Sequence, residues 1–369
     1  MKHKGPTPAF LFSPDGLNLK RISDIYVESH TVLYGRTMTL ADNRTKNALQ
    51  SKLERQSQWT TKMAHNGIKV WDSVYNKAIN SSSEPVSKWT KIKKTIQEIL
   101  MQKRSDYWRD YIRPLIQQGR MLEFISIEQS DLTWRSIIYN LPKGVLSFAV
   151  RSSIDFLPTL SNLKCWGKRT NTHCQLCKNH ESLCHVLNNC SVSLNQGRYT
   201  WRHDSILRHI VQLLQDSSTN SDIKMYADIS DMTSSGGTIP ANILPTSQRP
   251  DLFLYNETAK KAVIGELTVS FEPNIPKAHE RKQSRYAGLL SDLNRAGVNT
   301  SLVCFEIGSR GLITKDNVAR LRSIFKFKGV PFKKQITKDI SKLALLGSYA
   351  IWNSRKEATW DNISCLKIN

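Results

Sequence analysis

Two carboxylates stand fifteen residues apart, Asp251 in Arg-Pro-Asp-Leu-Phe-Leu-Tyr and Glu266 in Gly-Glu-Leu-Thr-Val. The stretch between them reads as a β-hairpin. Phe253, Leu254 and Tyr255 form an apolar run, Asn256 to Lys261 a polar turn, and Ala262 to Val269 a second apolar run. A turn centred between Thr258 and Ala259 sets Asp251 directly across from Glu266 on one face, roughly 5 Å apart at Cβ. Carboxylates that close repel: one takes up a proton, or a divalent cation lies between them. Everything depends on register, because a slip of one residue sends the two to opposite faces.

Two flanking helices supply candidate helpers. A helix from about Pro276 to Ala296, with Gly297 as C-cap, carries Ala278, Lys282, Tyr286, Leu289 and Leu293 on one stripe. A lysine inside an apolar stripe snorkels to solvent, pairs with an acid, or works in a site. Helix and hairpin are adjacent in sequence, so Lys282 can reach the carboxylates, with Tyr286 one turn further on. Upstream, Trp201-Arg202-His203-Asp204 leads into a helix expected from about Asp204 to Gln215, with Ile206, Leu207, Ile210, Val211 and Leu214 on its apolar stripe. Asp204 fits an N-cap or first-turn carboxylate. His203 faces inward or stands beside the site; a structural histidine would look the same. Arg249 and Arg310 fall in loops at strand ends, where they could meet phosphates. Tyr226-Ala-Asp228-Ile229 invites comparison with the Tyr-x-Asp-Asp turn of polymerases, but it lacks the second Asp and reads as ordinary strand.

A second cluster has metal-ligand spacing. Cys174-Gln-Leu-Cys177 is followed by His185 and Cys190, a Cys-x2-Cys pair and then His-x4-Cys. Two cysteines two apart form a turn whose sulfurs bind one metal, and His185 with Cys190 completes a tetrahedron. Four soft ligands with no open position suit a structural Zn2+. His180 or Cys184 could replace a ligand, His173 less readily. Free buried cysteines are the bland alternative. Lys164, Lys168, Arg169 and Lys178 around the cluster suit a phosphate-contacting knuckle or simply a solvated loop.

These groups must be held by an α+β chain. Residues 1–150 read as a basic helical region. Asn47–Ala78 and Val86–Gln118 are its long helices, and Asn80–Pro85 is the loop between them. Residues 151–198 hold the Cys/His knuckle. Residues 199–335 read as α/β, a mixed sheet flanked by helices: the helix after His203, a strand at Lys224–Ile229, a loop over Thr233–Arg249, the hairpin, the Lys282 helix, a strand at Ser301–Ile307, the loop Gly308–Gly311 and a helix near Asn317–Phe325. Residues 336–369 form a C-terminal helical tail.

The chain has 369 residues, enough for two or three domains. Lys and Arg outnumber Asp and Glu by 53 to 31, a net charge of +22 spread along the sequence. Such a field favours a polyanionic partner, nucleic acid before acidic membrane. The N-terminal stretch has no apolar signal core, and no run approaches the roughly 20 apolar residues of a membrane span. Seven cysteines, most of them between Cys165 and Cys190, point to a reducing compartment and a metal rather than a disulfide framework.

Taken in order, Cys174-x2-Cys177…His185-x4-Cys190, Arg202-His203-Asp204, Arg249-Pro250-Asp251, Glu266-Leu-Thr-Val and Lys282-x3-Tyr286 resemble the C-terminal part of non-LTR retrotransposon proteins that carry a restriction-like endonuclease. The resemblance covers about residues 140 to 330. It implies a zinc knuckle ahead of a nuclease of the PD-(D/E)XK superfamily that nicks target DNA in the nucleus to prime reverse transcription. It makes Asp251 and Glu266 ligands of Mg2+. It moves the lysine of the usual Glu-x-Lys strand onto the helix as Lys282, consistent with Thr268 at the usual position, and it makes Tyr286 and His203 supporting residues. DNA and the element's own RNA are the implied partners, with Arg202, Arg249 and Arg310 as contacts. Residues 1 to about 140 would match the helical linker after the polymerase thumb. The polymerase has no counterpart here, so no reverse transcriptase is expected. The rival expectation is a nucleic-acid-binding protein whose nuclease core is now only a scaffold.

Overall fold

The alternation over Phe253–Val269 folds as the hairpin it predicts. In a computed structural model, strands Leu252–Asn256 and Lys261–Ser270 pair antiparallel, with Leu252 opposite Gly265 and Asn256 opposite Lys261. That register carries Asp251 to the position across from Glu266. The structure describes residues 8–59, 62–80, 89–115, 119–216, 222–229 and 239–361. It divides into two compact units, one within residues 7–119 and one within residues 120–369.

The first unit is helical: α1 (Pro8–Phe12), α2 (Ile22–Leu40), α3 (Asn43–Trp59), α4 (Lys62–Asn80) and α5 (Trp89–Ile112). The helix expected over Asn47–Ala78 is described as α3 and α4, and residues 60–61 between them lie outside the described residues. Most of the loop expected over Asn80–Pro85 lies outside the described residues. Tyr34, Trp71, Val74, Tyr75, Ala78, Ile92 and Ile96 form the core. Their spacings of three and four place them on the inner faces of α2, α4 and α5. Tyr34 and Tyr75 meet edge to face at 5.7 Å, and the Tyr34 hydroxyl donates to Asp72 at 2.9 Å.

The second unit begins with short elements: α6 (Arg120–Ile127), β1 (Ser130–Asp131), α7 (Trp134–Ile138), α8 (Lys143–Ser153) and α9 (Leu160–Cys165). The Cys/His segment follows, closing with a turn of π-helix over His185–Asn189. Next come α10 (Ser191–Asn195), α11 (Arg198–Asp216), β2 (Ile223–Ala227), β3 (Leu252–Asn256), β4 (Lys261–Ser270), α12 (Ile275–Arg295), β5 (Asn299–Gly308), β6 (Ile313–Thr314), α13 (Lys315–Lys328) and α14 (Lys334–Asn353). Strands β2, β3, β4 and β5 form one mixed sheet in that order, antiparallel except for the β4–β5 pair. A parallel pair needs a crossover, and α12 supplies it. Strands β1 and β6 form a separate two-residue ladder.

Side chains alternate across the sheet with period two. Leu252, Leu254, Val263, Leu267, Phe305 and Ile307 face one way, onto Ile206, Leu207, Ile210, Val211 and Leu214 of α11 and the apolar residues of α13 and α14. Phe253, Tyr255, Ala262 and Ile264 face the other way, onto Tyr286, Leu289 and Leu293 of α12. Glu266 shares the parity of Ala262 and Ile264, and Asp251 that of Phe253, so both belong to the α12 face. Helix α14, expected as part of a tail, packs Ile336, Ile340, Leu343 and Ala344 into the main core. Among the described residues, no helix is long and apolar enough to cross a membrane.

Candidate active site and metal centre

The knuckle is built by local turns. The Cys174 amide donates to Asn179 O at 2.7 Å and the Lys178 amide to Cys174 O at 3.0 Å, with Lys178 at φ +65° closing the turn. This brings Cys174 and Cys177 to one side. The π-helical turn delivers His185, and Cys190 follows at its end. The ligand atoms of Cys174, Cys177, His185 and Cys190 all lie within 4.8 Å of one another, and Cys177 Sγ stands 3.2 Å from His185 Nε2. Burial pushes the Cys174 thiol up to about 11, so a metal must displace its proton. The alternative ligands are engaged elsewhere. His180 Nε2 meets Ser161 Oγ at 2.7 Å, His173 Nδ1 meets Asn171 Oδ1 at 2.7 Å, and Cys184 Sγ accepts from Asn189. The four residues form a Cys3His cluster that could bind a metal ion and is compatible with zinc.

The two carboxylates are held reciprocally at the open end of the hairpin. The Asp251 amide donates to Glu266 Oε1 at 3.0 Å, and the Leu267 amide donates to Asp251 Oδ2 at 2.8 Å. Lys282 Nζ donates to Glu266 Oε2 at 2.5 Å and lies 3.9 Å from Asp251 Oδ2. Helix α12 thus points its stripe lysine inward, onto a carboxylate with no solvent exposure. His203 lies 3.0 Å from Asp204 Oδ1 through Nδ1 and 3.3 Å from Asp251 Oδ2 through Nε2. An imidazole between two carboxylates needs a proton on each nitrogen. Burial alone would lower its affinity for the second proton, but Asp251 and Asp204 outweigh burial and raise the pKa to about 10. Burial likewise pushes the Asp251 carboxyl up, yet His203 and Lys282 hold it below the ordinary range. Glu266 goes the other way, up to about 7, through burial and the charge of Asp251, with Lys282 opposing. Tyr286, one turn on, donates to Arg249 O at 3.2 Å.

Other expected residues are placed differently. Asp204 lies in the second turn of α11, not at its N-cap, because the helix starts at Arg198 just after Gly197 at φ +73°. Arg202 and Arg310 are buried and committed to interior partners. Arg202 donates to Ser348 Oγ at 2.8 Å, in a pocket open only because position 347 is glycine: a Cβ there would lie 2.6 Å from Arg202 Cγ. Arg310 pairs with Glu272 at 2.6 Å and donates to Ser152 O at 2.9 Å. Arg249 remains half exposed and pairs with Asp228 at 2.5 Å.

Sequence reading missed a third buried acid. Glu306 on β5 has no solvent exposure and stands at the register partner of Thr268, on the Glu266 face. His279 Nδ1 lies 3.0 Å from its Oε1, and Arg320 Nη1 3.5 Å from its Oε2. His279 is on α12, three residues before Lys282. An Asp251–His203 pair, a Glu266–Lys282 pair and a Glu306–His279 pair therefore lie side by side across three strands. Beside them opens a groove of about 700 Å³. Asn188, Leu194, Thr200, Val269, Phe271, Lys277, Arg281 and Lys282 are among the residues that line it. Lys277 and Arg281 are exposed cations that sequence reading passed over; their spacing along α12 was the available signal.

No protein-family model matches the chain, and no curated protein matches it.

Proposed function

We propose that this protein is a Mg2+-dependent DNA endonuclease of the restriction-like, PD-(D/E)XK kind, derived from a non-LTR retrotransposon and acting in the nucleus. The observation that carries this reading is Lys282 Nζ, 2.5 Å from Glu266 and 3.9 Å from Asp251, with the Glu266 carboxylate accepting from the Asp251 amide and the Asp251 carboxylate from the Leu267 amide at the mouth of one hairpin. Hard oxygen donors suit Mg2+, and Asp251 and Glu266 are the residues that would hold it. Bound there, the ion supplies charge stabilisation for in-line attack of water on a phosphodiester. The chain's own groups do the rest. The ammonium of Lys282 is placed to orient the attacking water or to neutralise phosphate charge. His203 and the Leu267 amide fix the Asp251 carboxylate, and Tyr286 ties α12 to the Arg249 carbonyl ahead of Asp251. Lys277 and Arg281 at the groove mouth are positioned to meet the DNA backbone. The Cys3His cluster, as a zinc knuckle, would hold the turn that carries Asn188 in the groove lining.

One observation favours a second reading. The carboxylates already have protein cations, so the cluster satisfies itself as an ion-pair network, and the chain would then bind DNA or RNA without cutting. Incubating supercoiled plasmid with the protein and Mg2+ or Mn2+, beside Asp251→Ala, separates the two. Nicking that vanishes in the variant supports the enzyme. Binding without nicking, unchanged by the substitution, supports the idle binder.

A further inference from the structure

The groove beside the acidic cluster is too small for a double helix. Its volume is about 700 Å³, within the roughly 300–1,000 Å³ of small-molecule sites. One turn of duplex extends about 34–36 Å and can only lie across the opening. Yet the groove runs directly to His203 and Lys282, and so to the carboxylates. Whatever enters it is continuous with the group being cut.

The lining has the chemistry of a nucleotide site. Leu194 is an apolar side chain of the lining that is 58% exposed. Val269 and Phe271 contribute apolar lining, and Lys277 and Arg281 add two exposed cations to it. Asn188 adds a fixed acceptor. Its Nδ2 donates to Val269 O at 2.9 Å, which sets the orientation of the amide, since turning it over would press oxygen against oxygen. Its Oδ1 is then a buried acceptor with no partner among the described residues. A buried acceptor left without a donor is a cost that a ligand N–H removes. Apolar walls for a flat ring, an acceptor for its edge and cations for its phosphate together describe a nucleobase with its backbone attached.

We propose that this groove holds one unpaired nucleotide of the DNA, next to the phosphate that Asp251 and Glu266 address. The inference rests on the endonuclease reading and deepens it: the preferred substrate is a duplex carrying an unpaired nucleotide at the cleavage site. An already unpaired base enters without the unstacking that a paired one requires.

Binding tests this apart from cleavage. Fluorescence anisotropy, with Ca2+ in place of Mg2+, compares three labelled duplexes: fully paired, with one unpaired adenine, and with one unpaired abasic site. The unpaired adenine binds about tenfold more tightly than the other two, the scale of one stacked and hydrogen-bonded base. Thr200→Trp, at an exposed position in the groove lining, fills the space and brings the ratio near one; Asn188→Ala lowers it. Thermal melts confirm that both variants fold. Equal affinity of the parent for all three duplexes, or an adenine preference that survives Thr200→Trp, overturns the inference. Failure of the endonuclease reading looks different: plasmid stays intact in Mg2+ while the adenine preference persists. Nicking of plasmid without any such preference leaves that reading standing and removes this one.

Discussion

Replacing Lys282 with methionine keeps the length of the side chain and removes its charge. In the parent that ammonium lies 2.5 Å from Glu266, a carboxylate with no exposure, and only 15% of the lysine side chain is exposed. Breaking a buried ion pair from one side costs about 3–5 kcal/mol, because the remaining charge is left without a partner. For a unit of this size one kcal/mol corresponds to roughly 2–4 °C, so Lys282→Met melts roughly 10 °C lower near pH 8 without divalent ions. The deficit depends on pH. Glu266 sits at about 7 with Lys282 opposing the upward push, so the variant's carboxyl rises further. A group raised above its unfolded value of about 4.3 stabilises below that value and loses the contribution as pH passes its folded value. The variant therefore recovers toward the parent between pH 8 and pH 5, as Glu266 takes up the proton that replaces the ammonium. Ca2+ provides the second arm. In the parent an ion competes with the ammonium for Glu266; in the variant it does not, so saturating Ca2+ raises the melting temperature more in the variant. Melting curves at pH 5, 6.5 and 8, with and without Ca2+, read all of this. A pH-independent deficit, or equal Ca2+ shifts in both proteins, would refute the assignment of Lys282 as the counter-charge of a cation site.

Three further outcomes follow from packing and ligation. Cys190→Ser takes one thiolate from the Cys3His cluster, and the zinc-to-protein ratio by metal analysis falls from near one to near zero; a parent ratio near zero removes the zinc site. Arg310→Ala strands the fully buried Glu272 and destabilises by about 3–5 kcal/mol in urea melts, while the folded fraction binds DNA like the parent; a selective loss of DNA affinity would restore Arg310 as a contact. Gly347→Ala places a methyl 2.6 Å from Arg202 Cγ and costs about 1–3 kcal/mol in the same assay; an unchanged midpoint shows that Arg202 has room to move.

What could be read without coordinates was what short-range geometry dictates. Asp251 and Glu266 belong to one hairpin, so a turn position fixes their register, and Lys282 is placed by the 3.6-residue period of the next helix. Cys174, Cys177, His185 and Cys190 lie within seventeen residues and needed only two turns. Reading failed where a distant partner decides the environment. Arg202 and Arg310 are charged, and charge in a loop or helix start reads as surface. Their pockets come from Gly347 and Ser348 on α14 and from Glu272, far away in sequence. Glu306 was missed for the opposite reason. It lies inside the apolar strand Ser301–Ile307, and its partners His279 and Arg320 sit on two different helices. Asp204 looked like a cap because the stripe starts at Ile206, yet α11 starts at Arg198, with buried Arg198, Trp201 and Arg202 continuing the inner face one turn earlier.

That extra first turn of α11 gives the knuckle a physical link to the carboxylates. Tyr199 and His203 are four residues apart and share one side of the helix. The Tyr199 hydroxyl donates toward His185 O at 3.2 Å and Val186 O at 3.0 Å and accepts from the Cys190 amide at 3.0 Å, so it grips the backbone of two cluster residues. One turn later His203 reaches Asp251. Asn188, inside the same π-helical turn, reaches over to Val269 O at the end of β4, the strand that carries Glu266. Two separate connections thus join the Cys3His cluster to the hairpin, one through α11 and one through the Asn188–Val269 bond. Helices of this length do not flex within a turn, so loosening the cluster displaces His203 and Asn188 together. Loosening of the cluster would reach the acidic site through His203 and the groove through Asn188, although none of the four cluster residues lines that groove.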